Sequence, residues 1–165
     1  MRIWFAAGVA VCALLLGFGY FLQYVQGLDP CPLCQVQRAF YYLVGAAFLA
    51  GAAHGRFLPA YGSLAALFAI GGIGTAGRQV WLQHLPADKV PQCGPDLEFM
   101  LKNLPLSRTL EKLFTGTGEC AVVDWSFLGL SIAEWSLGWF VALALYAAWL
   151  ALSNTRSARG RTSSP

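Results

Sequence analysis

Charged side chains are scarce in this chain. Lysine, arginine, aspartate and glutamate make up 12% of its 165 residues, about half the usual share of a soluble domain, so the composition points to a membrane protein. Strand-like alternation of apolar and polar residues is missing as well. That argues against a closed barrel and leaves helices as the spanning elements, because a segment in hydrocarbon must satisfy its own backbone. Histidine occurs only twice, which is few for the mixed histidine and cysteine sites that hold zinc. Internal repeats and low-complexity domains are absent. No small-x-small cleavage site follows the first apolar stretch, which ends Phe21-Leu22-Gln23-Tyr24 and is longer than the roughly 7–15 residues of a signal core. The stretch is expected to remain as an anchor.

What is present is apolar length: 57% of the residues are hydrophobic. Four stretches approach the roughly 20 helical residues that cross a bilayer core: 3–24, 34–53, 58–77 and 132–152. The expected fold is an all-α membrane protein, a four-transmembrane-helix bundle forming one domain over 1–152. A long loop, about 78–131, follows the third span, and Ser153–Pro165 reads as a basic, disordered tail. Gly17 and Gly19 suggest close helix contact in span one, where Cys12 reads as a small apolar filler. Span two is uninterruptedly apolar only over 39–53, so reaching full length brings Arg38 inside its first turns, where a guanidinium is costly without a partner. His54-Gly55-Arg56 is a short turn, so spans two and three form an antiparallel hairpin. The glycine run 71–77 reads as a helix-packing face, or as a wall for a flat ligand.

In the loop, Leu97, Met100, Leu101 and Leu104, then Leu106, Leu110, Leu113 and Phe114, recur at helical spacing on either side of Pro105. They predict two short amphipathic helices on the bilayer surface. Ser131-Ile132-Ala133-Glu134 is a capping-box pattern opening span four, and Trp135, Trp139 and Trp149 fit interfacial belts. Arg2, Arg56, Arg156, Arg159 and Arg161 fall on one side of the bundle. Within the loop beyond Arg78, acids outnumber bases. The positive-inside bias puts both termini in the cytoplasm and the loop in the opposite compartment, the periplasm if the membrane is a bacterial inner membrane.

Four of the five cysteines lie on that far side, as Cys31-Pro32-Leu33-Cys34 and as Cys93 with Cys120. Two separated pairs in a disulfide-permissive compartment suggest thiol–disulfide chemistry, with electrons passed from one pair to the other. A Cys93–Cys120 bridge would close the loop into a flap. At a helix start Pro32 is tolerated and the free N–H groups favour a thiolate. Arg38 lies four residues from Cys34, on the same helix face. Its cation would favour that thiolate and could bind a carbonyl oxygen, and a thiolate at this depth could react with a lipid-soluble oxidant such as a quinone. Arg78, Gln79 and His84, expected just beyond span three, could contact the ring, although an ordinary interfacial role also fits His84. Haem attachment is disfavoured because Gln35 follows Cys34 where histidine is needed. A four-thiolate zinc site lacks a compact second knuckle, and no metal ligands are assigned.

Cys31-Pro32-Leu33-Cys34 followed by Arg38, the four spans, the loop pair Cys93 and Cys120, and Trp125-Ser126-Phe127-Leu128-Gly129-Leu130 together resemble the disulfide bond formation protein B (DsbB) family. The resemblance covers about Trp4–Leu152. It implies a quinone-dependent protein thiol–disulfide oxidoreductase of the bacterial inner membrane, in the relay already known to keep a bacterial periplasm oxidising. A reduced thioredoxin-like partner of DsbA type would attack Cys93. Cys120, released, would attack Cys31. Cys34 would pass electrons to ubiquinone or menaquinone, with Arg38 holding the ring. The partners implied are this soluble protein, the quinone and the lipid bilayer; no nucleic acid is expected. Two other readings remain: a vitamin K epoxide reductase-like quinone reductase, whose CxxC usually comes late in the chain, and a non-enzymatic protein clamping a soft metal with its cysteines.

Overall fold

The structure, a computed structural model, describes residues 2–89, 105, 118–123 and 125–162. Among these residues four α-helices carry the fold: α1 (Arg2–Tyr24), α2 (Pro32–His54), α3 (Leu58–Gln83) and α4 (Ile132–Thr162). Short 3-10 turns occupy Ala87–Lys89 and Gly118–Ala121, and strands β1 (Ser126–Phe127) and β2 (Leu130–Ser131) pair as a hairpin before α4. Cys93 and the two amphipathic helices expected on either side of Pro105 lie outside the described residues. α1, α3 and the Ile132–Thr155 part of α4 are long and apolar enough to cross a membrane. α2 matches α1 at 23 residues. Gln35, Gln37, Arg38 and two tyrosines, Tyr41 and Tyr42, keep it below that apolarity.

The helices pack in sequence: α2 lies against α1 and α3, and α3 lies against α4. Phe5, Val44, Phe48, Phe140 and Leu150 are fully buried at the centre. Small residues make room for them. A Cβ on Gly72 would stand 2.3 Å from the Phe140 ring, and one on Gly71 would stand 2.5 Å from Phe40. The glycine run therefore packs rings rather than walling a ligand at these positions, whereas Gly74 and Gly77 face open space. Gly17 is open too, and Gly19 faces the Arg38 side chain at 3.6 Å instead of another helix backbone. Gly72→Ala should lower stability by about 1–3 kcal/mol, the usual cost of overpacking a filled core. Gly74→Ala should change it little. Thermal unfolding of the two variants in detergent checks the contrast.

Helix ends account for most of the boundaries. α2 starts at Cys31, an extended N-cap, with Pro32 in its first turn, and stops at Gly55, whose φ of 61° is left-handed. Arg2 donates from Nε to the Ala52 carbonyl (2.9 Å) and from Nη2 to Ala53, placing a cation on the negative end of α2. Before α4 the expected capping box is present: the Ser131 amide donates to Glu134 Oε2 (2.7 Å), and the Glu134 amide donates to Ser131 Oγ (3.3 Å).

Two expected ends move outward. α3 continues past Gly77 to Gln83, because Arg78–Gln83 contains no breaker and the Arg78 guanidinium packs 4.3 Å from the Trp81 ring one turn on. α4 continues past 152 to Thr162, through the tail read as disordered. Ser153, Asn154 and Thr155 there donate side-chain hydrogen bonds to the Leu150 and Leu152 carbonyls of the preceding turn. The hairpin was not foreseen. Leu128 (φ 55°) and Gly129 (φ 80°) both take positive φ, the requirement of a two-residue turn matched to strand twist.

Candidate active site

Cys31 caps α2 and Cys34 stands in its first turn, so the helix start presents both sulfurs together, with Sγ atoms 3.2 Å apart. Cys120 reaches them from the loop. It is fully buried with Leu33 of α2 and Leu82 of α3, and Cys31 packs against this small cluster. Cys31 and Cys120 are linked by a hydrogen bond. That bond, then the one with Cys34, and then burial hold the Cys31 thiol far above its ordinary titration range. Cys31 thus has two sulfur neighbours, Cys120 from the loop and Cys34 on the helix.

Beside them lies a cavity of about 690 Å³, within the range of small-ligand sites. Leu15, Phe18, Trp135 and Trp139 give it apolar and aromatic walls, while Cys34, Gln37, Arg38, Gln79 and Gln83 supply its polar edge. Tyr41 lines the cavity as well. Its ring stacks on Phe140 with centroids 4.1 Å apart, and its hydroxyl lies 3.1 Å from Ser136 Oγ.

Arg38 lines the cavity, but its guanidinium is held by α1. Nη1 donates to Gln23 Oε1, Nη2 donates to the Gly19 carbonyl at 2.9 Å, and the group lies 4.7 Å over the Tyr20 ring. These partners are neutral, so the positive charge is positioned without being cancelled. The i, i+4 spacing put Arg38 and Cys34 on one face, and both do line one cavity; the spacing gave no indication that α1 would supply the clasp.

Gln79 is not beyond the span. It lies within α3, buried, and it is the side chain that touches the sulfurs: Nε2 is 3.2 Å from Cys34 Sγ and 3.5 Å from Cys31 Sγ. Its oxygen accepts from Gln37 Nε2 at 2.7 Å. Gln37 was not singled out from the sequence, although a polar residue inside a span is a functional candidate on its own. Gln83 was also missed. It accepts from Ser131 Oγ at 2.7 Å, tying the end of α3 to the start of α4 at the cavity edge. His84 does not line this cavity. Five residues beyond Gln79 it points about 140° round the helix, is exposed, and its Nδ1 lies 2.9 Å from the Val80 carbonyl. Trp135 and Trp139 line the cavity, Trp135 donating to the Phe127 carbonyl at 3.1 Å. Trp149 packs edge-on to Trp4 near the other end. Cys12 is buried against Gly45, away from the other sulfurs.

A family model described as "Disulfide bond formation protein DsbB" matches residues 1–150. Among similar proteins, "Disulfide bond formation protein B" of Azoarcus sp. (strain BH72) is 47% identical over 149 residues, covering 88% of this chain and 89% of its own. The protein of the same description from Nitrosococcus oceani is 47% identical over 148 residues, with 88% of each chain covered. That of Hahella chejuensis (strain KCTC 2396) is 49% identical over 142 residues, with 84% and 86% covered.

Proposed function

This chain belongs to the DsbB family of disulfide bond formation proteins, and on that premise we propose that it is a protein-dithiol:quinone oxidoreductase. It is a multi-pass membrane protein of a disulfide-forming family. In the finer reading α2 is the fourth span of a single domain over 1–152. The membrane is the bacterial inner membrane, both termini are cytoplasmic, and the sulfurs face the periplasm. α2 has the length for a crossing, about 34 Å at 1.5 Å per residue, and it packs against both α1 and α3.

The observation that carries this reading is the order of the sulfurs. A thiolate of a reduced, DsbA-type thioredoxin-fold partner attacks Cys93. The Cys93–Cys120 bond breaks, and Cys120 leaves as a thiolate. The partner's second thiol displaces Cys93 and the partner departs oxidised. Cys120 then attacks Cys31, the Cys31–Cys34 bond breaks, and Cys34 leaves as a thiolate. Finally Cys93 attacks Cys120, restoring the loop disulfide and freeing Cys31 as a thiol. Each exchange transfers one bond between sulfurs and needs access along the S–S axis. Cys31, already in contact with Cys120 on one side and Cys34 on the other, is the natural middle sulfur.

The cavity fits a quinone: aromatic walls suit a flat ring, and Arg38 offers a cation to a carbonyl oxygen beside Cys34. A bound ubiquinone or menaquinone accepts two electrons and two protons and so reoxidises the Cys31–Cys34 pair. Arg38 holds the ring and the developing charge, with Gln79 next to it at the sulfurs.

The test is stoichiometric. Purified protein is mixed with a reduced DsbA-type dithiol protein and a water-soluble ubiquinone, and quinone absorbance is followed beside partner thiols. One quinone should be lost for every two thiols. Quinone that stays oxidised while the partner also stays reduced rules the function out.

A further inference from the structure

Gln37 and Gln79 form a buried amide pair that does more than bridge two helices. Both side chains are about 95% buried, with residual exposures of 5% and 4%. Gln37 lies three residues after Cys34 on α2, one turn on, and so faces α3 beside the sulfur. Its Nε2 donates to Gln79 Oε1 at 2.7 Å. That oxygen can also accept from a Cys34 thiol at 3.5 Å, but Nε2 is the nearer atom to Cys34 Sγ, at 3.2 Å, and the NH2 is the only end of Gln79 that can bond the sulfur once it is a thiolate. Turning the Gln79 amide over would set its NH2 against that of Gln37, two donors face to face, and would offer oxygen to the sulfur.

The direction matters for the chemistry. A thiol can give or take a hydrogen bond, but a thiolate can only take one, and a bond to a charged acceptor is stronger than one between neutral groups. An amide locked with its NH2 toward Cys34 therefore favours the sulfur in its anionic form, the form in which it leaves Cys31 and reacts. Arg38 adds its positive charge to the same end, but its hydrogen bonds go to Gln23 and Gly19, so the hydrogen bond to the sulfur comes from Gln79.

We propose that Gln37 is a positioning residue: it fixes the Gln79 amide so that its NH2 is presented to Cys34, and Gln79 is the group that acts on the reacting sulfur. The proposal rests on the redox reading of the same site, and its test needs neither quinone nor partner protein. Reduced full-length protein in detergent is treated with iodoacetamide at pH 7, and alkylation of Cys34 is timed by peptide mass spectrometry. Gln79→Leu should slow it about tenfold, roughly the factor of one hydrogen bond to a charged acceptor. Gln37→Leu should slow it about fivefold, and the double variant should be no slower than Gln79→Leu alone, because Gln37 acts through Gln79. Gln37→Met, unbranched and of similar length, replaces Gln37→Leu if the latter fails to fold.

Wild-type alkylation in the folded Gln37 variant, or slowing in the double variant equal to the product of the two singles, overturns the proposal. Slow alkylation with the expected coupling, in a wild-type protein that reduces no quinone, would sustain this inference and sink the redox function instead.

Discussion

Cys34→Ser should abolish quinone reduction, lowering the rate at least about a thousandfold, and should leave Cys31 covalently joined to Cys120. The expectation follows from where the sulfurs stand. Serine keeps the size of the side chain and its place at the start of α2, so the bundle and the cavity should persist. A hydroxyl cannot form a bond to Cys31, nor leave as an anion at neutral pH as a thiolate does. Cys31, left as a thiol beside Cys120, can then attack Cys120 of the Cys93–Cys120 disulfide, so that the Cys31–Cys120 bond forms as the Cys93–Cys120 bond breaks and Cys93 leaves as a thiol. With serine at position 34, no second sulfur on the helix can displace Cys120 from Cys31. Protease digestion without reductant, followed by mass spectrometry, should recover a peptide pair linked through Cys31 and Cys120. Wild type should give that link only in passing. If Cys34→Ser with its loop cysteines oxidised contains no such pair, the middle position of Cys31 is wrong and the order of the relay fails with it.

Much of this arrangement could be read from the chain, and the parts that could not share one cause. Hydropathy located four helices, the proline and cysteine of Cys31-Pro32-Leu33-Cys34 marked a helix start, and Ser131 with Glu134 marked another. Those signals are local: they depend on residues within a turn or two of one another, and the structure has each of them. Rotation of one helix against the next is not local. Gln79 looked like a residue just outside a span because hydropathy falls at Arg78, while backbone hydrogen bonding is indifferent to that polarity and carries α3 on for another turn and a half. Its neighbour at the sulfurs, Gln37, is 42 residues away in the chain, and no pattern along one helix reveals such a pairing. Arg38 shows the same limit from the other direction. Its cost inside a span was visible, but the Gln23 side chain and Gly19 carbonyl that offset it belong to a different helix.

Arg38→Ala should raise the KM for quinone roughly ten- to a hundredfold, with a smaller loss in kcat, in the assay that couples partner thiols to quinone absorbance. The range corresponds to about 1.4–2.8 kcal/mol, which is what one charge-assisted contact to a ligand oxygen contributes. The guanidinium is suited to this because α1 holds it in place beforehand. Two hydrogen bonds and the Tyr20 ring fix its position at the cavity edge, so little side-chain entropy remains to be lost when a ring enters. For the same reason Arg38→Lys should rescue little. An ammonium has the charge but not the planar fork that reaches Gln23 and Gly19 together, and it would sit at the edge unclasped. Gln23→Leu tests the clasp without touching the cation: it should raise the KM severalfold while the Cys31–Cys34 pair still forms. A quinone KM unchanged by both Arg38→Ala and Gln23→Leu would remove Arg38 from the binding site, and the ring would then have to be held by the aromatic walls and the glutamines alone.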